Sequence, residues 1–166
     1  MSILIEAMSL TDWDEVRAIY LDGIATGNAT FEVEAPTWER WDSGHHPFAR
    51  LVARDAGRVV GWAAISPVSA RLCYRGVAEV SVYVGASERR RGIGRLLLMA
   101  VVAESEREGI WTLRGATLAE NEASLQLQRG CGFREIGRCE RVAQLRGVWR
   151  DTVLTERRSA VVGVDQ

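Results

Sequence analysis

Residues 89–94 read Arg89-Arg90-Arg91-Gly92-Ile93-Gly94, between a strand-like run, Val80 to Val84, and a long amphipathic run, Ile93 to Glu108. A glycine-rich turn leading from a strand into a helix lets the backbone approach a ligand at the helix N-terminus. There, free N–H groups and the positive end of the helix dipole favour an anion. A pyrophosphate fits such a site. The three arginines add charge at its mouth, and a planar guanidinium matches phosphate oxygens two at a time. Neighbouring residues exclude two nucleotide motifs. A P-loop requires Lys and then Ser or Thr after its last glycine, whereas Gly94 is followed by Arg95 and Leu96. A dinucleotide fingerprint requires a small residue three positions past the second glycine, and Leu97 stands there. An Arg-x-x-Gly-x-Gly turn for another anion remains, with a solvated basic loop capping a surface helix as the plainer alternative.

Composition narrows the class. A chain of 166 residues, 47% hydrophobic and 26% charged, reads as one globular domain with a substantial core. A net charge of −1 argues against nucleic acid as the main partner. No run approaches the roughly 18 apolar residues of a membrane span, and Met1 to Met8 lack the basic region and apolar core of a secretion signal, so a cytoplasmic protein without a membrane partner is expected. Cys73, Cys131 and Cys139 are odd in number and lack C-x-x-C spacing, which suggests neither disulfides nor zinc. His45 and His46 are adjacent before Pro47 and read as surface residues rather than metal ligands, so no metal is expected. The chain contains no lysine, which removes Schiff-base chemistry.

Outward from the turn, hydrophobic periods alternate between those of strand and helix. Ile3 to Ala7 reads as a strand, and Thr11 or Asp12 caps a helix carrying Trp13, Val16, Ile19, Tyr20 and Ile24 that ends at Gly27-Asn28. A short helix with Trp38 and Trp41 starts near Pro36. Arg50 to Arg54 and Arg58 to Ser66 flank Asp55-Ala56-Gly57, a hairpin signature. Val77 to Val84 is rich in β-branched residues and reads as a central strand. The helix from Gly92 to Glu108 presents Ile93, Leu96, Leu97, Ala100 and Val101 on one face and stops at Gly109. Strands at Trp111 to Leu118, Phe133 to Gly137 and Val148 to Glu156, with a helix from Asn121 to Gly130, complete a three-layer α/β domain. The tail after Arg158 is expected to be loose.

Further segments extend the pattern: Asn121-Glu122-Ala123-Ser124 with Gln128 and Gly132-Phe133, Gly27 to Glu32, Glu79 ahead of Ser81-Val82-Tyr83-Val84, and Gly147 to Asp151. In this order and with the glycine turn, they resemble the GNAT acetyltransferases, and within them the phosphinothricin and methionine sulfoximine acetyltransferases. The resemblance implies an α/β GNAT fold over residues 1–158, with a mixed sheet of about six or seven strands flanked by helices on both faces and splayed at the cofactor strand, and a flexible tail at 159–166. It implies acetyl-CoA as co-substrate, a small amino acid or toxic analogue as acceptor, and a homodimer.

Residue roles follow from joining an amine to a thioester. An α-ammonium with a pKa near 8 must lose a proton as it attacks, and Glu79 is the candidate base. On its strand Val77, Glu79, Ser81 and Tyr83 share one face, and Ala78, Val80, Val82 and Val84 the other. An exposed carboxylate on a half-solvated strand is the plainer reading of Glu79. By resemblance, the strand carries a bulge, and the backbone of Val82, Tyr83 and Val84 holds the pantetheine arm. Arg89, Arg90, Arg91, Gly92, Ile93, Gly94 and Arg95 take the pyrophosphate, and Asn121 and Ser124 border the arm. The sequence departs from the pattern at Gln128, where the subfamily usually has His; an amide cannot transfer a proton. For the substrate carboxylate Arg75 is the first choice and Arg71 the second, with Phe31, Tyr74 and Trp149 as walls. Rival readings are a peptide N-terminal acetyltransferase on the same fold and a non-catalytic acyl-CoA-binding module.

Overall fold

The Asp55-Ala56-Gly57 signature closes as a two-residue turn. Asp55 pairs with Arg58, and Ala56 (φ 49°) and Gly57 (φ 83°) are both left-handed, the geometry that suits the right-handed twist of a hairpin. In the computed structural model, which describes residues 2–165, this hairpin joins β2 (Leu51–Asp55) to β3 (Arg58–Pro67). Met1 and Gln166, the ends of the expected domain and tail, lie outside the described residues. A second turn of the same kind, with Arg146 (φ 50°) and Gly147 (φ 82°), joins β6 (Arg134–Leu145) to β7 (Val148–Arg158).

With β1 (Leu4–Ala7), β4 (Val77–Val84) and β5 (Thr112–Leu118), these strands form one seven-stranded sheet in the order β1-β2-β3-β4-β5-β7-β6. Every neighbouring pair is antiparallel except β4 and β5. The helices α1 (Trp13–Ala25), α2 (Trp38–Gly44), α3 (Ile93–Arg107) and α4 (Glu122–Gly130) complete the mixed α/β architecture expected. Two apolar clusters form the core. In one, Ile93, Leu97, Leu98 and Val101 of α3 pack on Ala63, Ile65 and Ala78, with Val80, Val82 and Val84 against them. In the other, Trp13, Val16 and Ile19 of α1 meet Trp41, Val52 and Trp62, with Tyr20 and Tyr83 against them. The alternation read along β4 thus sorts its side chains between two cores.

The structure corrects some expectations. The buried stripe of α3 is Ile93, Leu97, Leu98, Val101, Val102 and Ser105, whereas Leu96 points out and is 46% exposed. The last hairpin is far longer than the expected Phe133 to Gly137 strand, since β6 runs to Leu145. Its polar, mostly exposed residues carry no alternation, and pairing with β7 makes them a strand. Asp151 stitches the irregular stretch, accepting from the Arg141 backbone N–H and the Arg138 guanidinium, which hold its carboxyl below the usual range. The tail expected to be loose is anchored over its first residues. Buried Ser159 donates to the Trp111 carbonyl through its N–H and to Glu106 through its hydroxyl, and Arg158 reaches the Val162 carbonyl.

One interior glycine sets how closely α1 approaches the sheet. A Cβ on Gly23 would lie 2.7 Å from the Tyr83 ring, which stacks on Trp62 and meets Tyr20 edge-on, so the ring must give up part of that packing to admit it. Gly23→Ala gains about 1 kcal/mol of helix propensity and loses about 1–3 kcal/mol to overpacking, so a net loss of stability is expected in urea unfolding. An unchanged or higher unfolding midpoint would show that Tyr83 is free to move.

Candidate active site

β4 and β5 pair over three positions only, Val77 with Thr112, Ala78 with Leu113 and Glu79 with Arg114. Beyond them β4 continues along β3 as far as Val84 opposite Gly61, while β5 continues along β7 to Leu118 opposite Thr152. The two central strands therefore diverge, and the edge of β4 facing β5 has no strand partner after Glu79. The register of β4 with β3 is unbroken, so the bulge expected in β4 is absent and the divergence itself creates the opening.

A cleft of about 1460 Å³ occupies this opening, with Glu79 at its apex. The Glu79 side chain lines the cleft and is exposed to it, while the surrounding walls desolvate it in part and so raise its pKa above the ordinary carboxylate range. On the same face of β4, Ser81 and Tyr83 also line the cleft. Burial, reinforced by Tyr20, keeps the Tyr83 phenol protonated far above its usual range.

The glycine turn borders the cleft as expected. Arg90 (φ 63°) and Gly92 (φ 77°) are both left-handed, and no side chain caps α3 at Gly92. Arg89, Arg90, Gly92, Ile93, Gly94 and Arg95 line the cleft, and Arg95 also donates to the Gly130 carbonyl at 2.8 Å. Arg91 departs from its expected cofactor role: it pairs with Asp55 at 2.7 Å and with Glu88, and does not line the cleft. It ties the turn to the β2–β3 hairpin.

Opposite, Asn121 caps α4 by accepting from the Ser124 N–H at 3.2 Å, and both residues line the cleft. Gln128 is 6% exposed and saturated by neighbours. Its Nε2 donates to the Thr117 and Ser124 hydroxyls, and its Oε1 accepts from Thr155. Gly115 leaves room for that amide, since a Cβ there would stand 2.5 Å from Gln128 Oε1. The departure from His thus supplies a buried polar clamp, with its donors and acceptor occupied.

The residues expected to bind substrate lie elsewhere in the single chain. Arg75 stacks on Trp111, Arg71 sits over Tyr74, and Trp149 lies under Arg141 beside a separate shallow pocket. Neither these residues nor Phe31 line the cleft. Its wall beside α1 and α2 instead carries Tyr20, Thr30, Glu32, Arg40 and His45, which sequence reasoning did not single out. The Gly27-to-Glu32 segment was the available signal. His45 is not the surface residue expected: its ring stacks on Trp41, Nδ1 donates to the Trp41 carbonyl, and burial lowers its pKa. The three cysteines are unpaired and lie outside the lining of the cleft.

Comparison with known proteins accords with this geometry. Residues 12–133 match the model of the Acetyltransferase (GNAT) family. Phosphinothricin N-acetyltransferase of Alcaligenes faecalis is 33% identical over 156 residues, 88% of this chain and 77% of that protein. The L-methionine sulfoximine/L-methionine sulfone acetyltransferase of Pseudomonas aeruginosa is 31% identical over 157 residues, 91% of each. Among solved structures, a GNAT phosphinothricin acetyltransferase from Sinorhizobium meliloti in complex with AcCoA superposes with a TM-score of 0.90 at 25% identity, covering 100% of this chain and 93% of that one. The chain belongs to the GNAT acetyltransferase family and is an acetyl-CoA-dependent N-acetyltransferase.

Two outcomes test the site. A Cβ on Gly94 would come within 3.1 Å of Leu127 and 3.7 Å of Val84, so Gly94→Val fills the groove beside the turn. By calorimetry it should weaken acetyl-CoA binding about tenfold or more, while Arg91→Ala stays within about threefold of wild type. The reverse order would return Arg91 to the binding set. Glu79 makes a separate prediction through linkage. Its raised folded pKa gives stability that is present below the unfolded pKa and lost as pH rises through the folded one. Glu79→Gln, which never ionises, should melt higher than wild type at pH 7, and the gap should close as pH falls below about 4. A gap that persists in acid would point to packing rather than charge.

Proposed function

We propose that this enzyme transfers acetyl from acetyl-CoA to the α-amine of a small amino acid or toxic analogue, with phosphinothricin and methionine sulfoximine as the model acceptors. The observation that carries the reading is the divergence of β4 and β5 immediately after Glu79, which puts a cleft-exposed carboxylate with a raised pKa where the strands part, in a cleft bordered by the glycine turn. The names of the relatives supply the substrate class.

In this reading the pyrophosphate sits on the backbone N–H groups at Gly92 to Arg95, with Arg89 and Arg90 at the mouth. The pantetheine arm pairs with the free edge of β4 at Val82 to Val84, while Asn121 and Ser124 border it from α4. Glu79 takes a proton from the substrate ammonium, directly or through water, and the neutral nitrogen attacks the thioester carbonyl. Backbone N–H groups of β4 stabilise the oxyanion. Collapse of the tetrahedral adduct breaks the C–S bond and releases CoA as thiolate, whose pKa near 8.5 makes it an adequate leaving group without a dedicated acid, and the second nitrogen proton passes to the thiolate or to water as the amide forms. That suits Gln128, whose amide is fully engaged. Arg75 and Arg71 with Tyr74, Phe31 and Trp149 remain the proposed carboxylate-side residues, reached in a homodimer. Exposed Leu72, Tyr74, Val148 and Trp149 supply apolar surface for such an interface. A reducing cytoplasm suits the three free thiols, and resistance to such analogues is the role this chemistry would serve.

The decisive measurement is CoA release from acetyl-CoA with free amino acids, phosphinothricin, methionine sulfoximine and a peptide panel, side by side. Turnover is expected on the free amino acids or their analogues, and turnover on peptides alone would overturn the reading. Glu79→Gln should retain acetyl-CoA binding and lose the acid limb of the kcat/KM profile along with most of the activity, by about 100-fold or more.

A further inference from the structure

Arg150 lies where the two arms of the split sheet would otherwise be free of one another. It stands on β7 just past the last β5–β7 pair, Leu118 with Thr152, at the open end of the divergence. Although arginines usually extend into water, its side chain is only 15% exposed. Nη1 donates to the Gly27 carbonyl at 2.9 Å, and Nη2 to Asn28 Oδ1 at 2.8 Å. Nε donates to Glu120 Oε2 at 3.0 Å, and Nη2 reaches the same oxygen. Gly27 and Asn28 follow α1, which packs on the β3–β4 arm, while Glu120 precedes the α4 cap Asn121 on the β5–β7 arm.

The two ends of this bridge differ in how else they are held. The turn at Glu120 has main-chain bonds of its own, from the Ala119 N–H to the Asp151 carbonyl and from the Asn121 N–H to the Leu118 carbonyl. The loop after α1 is held more locally. The Gly27 N–H closes the helix on the Ile24 carbonyl, and beyond it the Asn28 and Glu32 N–H groups bond only to the hydroxyls of Thr26 and Thr30, two residues back. Thr30 itself lies beside the phenols of Tyr20 and Tyr83 and lines the cleft.

We propose that Arg150 is a positioning residue, a strut that fixes the Gly27–Glu32 loop against the β5–β7 arm and so holds the wall beside α1 and α2, as the amine side of the cleft, at a working distance from the thioester. The inference rests on acetyl transfer to an amine in this cleft. A planar guanidinium spans three acceptors on two segments at once, which a point-charge ammonium cannot reproduce. Misplacing an acceptor amine by about 1 Å can cost about 100-fold in rate.

The test uses the full chain as wild type, Arg150→Met, Arg150→Lys and Asn28→Ala, with the best amine from the acceptor panel. In Arg150→Met, acetyl-CoA should bind within about threefold of wild type while kcat/KM for the amine falls about 30- to 100-fold, through both KM and kcat. Lys should recover only part of this, and Asn28→Ala, which removes one of the three acceptors, should lose less than Met. Hydrogen exchange reads the strut without turnover: in Arg150→Met the amides of residues 27–32 should exchange faster while those of α3 and β3 are unchanged. Unaltered exchange at 27–32, amine kinetics within twofold of wild type, or an equal loss of acetyl-CoA and amine affinity would each overturn the proposal. A wild type that turns over none of the acceptors overturns the substrate reading instead, and the exchange result then still decides the strut.

Discussion

Three consecutive backbone pairings between parallel strands, ending at Glu79 and Arg114, are the constraint on which this molecule depends. A parallel ladder that stops in mid-sheet leaves N–H and C=O groups on the inner edge of β4 without strand partners, and such groups are costly to leave unsatisfied in a covered site. An extended ligand with amide groups can take the missing strand's place, which is how the proposed pantetheine arm would be held. The stopping point also decides which side chain stands at the apex. Were the ladder one pair longer, Val80 rather than Glu79 would end it.

Around that opening the packing is asymmetric for a simple reason. The period of two along β4 sends Val80, Val82 and Val84 toward α3 and Glu79, Ser81 and Tyr83 to the opposite face. On the α3 side, aliphatic residues close a dry core beneath the glycine turn. The α1 side combines aromatic rings with polar tips, so Tyr83 stacks on Trp62 while lining the same cleft as Glu79. At the far wall a Gln occupies the position where a His is usual in the resembled subfamily. Buried and with every hydrogen-bonding group engaged, it holds α4 to β5 and β7 through Thr117 and Thr155. In the proposed mechanism the chemistry then rests on the carboxylate and the thiolate leaving group.

Much of this was legible in the sequence, because the signals were local. Asp55-Ala56-Gly57 needs only its own backbone geometry to turn, Gly92 and Gly109 bracket α3 through their left-handed conformations, and alternation along Val77 to Val84 places Glu79 on the face it occupies. What escaped was decided by partners far along the chain. Arg91 pairs with Asp55, 36 residues away, and is diverted from the cleft. β6 becomes a long strand through its ladder with β7 rather than through its own composition. His45 is drawn inward by stacking on Trp41, and Arg75 and Arg71 settle on Trp111 and Tyr74 outside the single-chain cleft.

By itself, then, the sequence determined the order and kind of the elements, the glycine turn at the start of α3, the face of β4 that carries Glu79, and the family. Each is written in residue spacing, and spacing acts through the backbone within a few residues. Only the tertiary structure decided which arginines line the cleft and which face a carboxylate, that the central strands part after three pairs without a bulge, and that Arg150 reaches Gly27, 123 residues away in the chain. The physical reason is that a charged or polar side chain takes its role from the partner it meets on folding. That partner is set by topology, which no local pattern encodes.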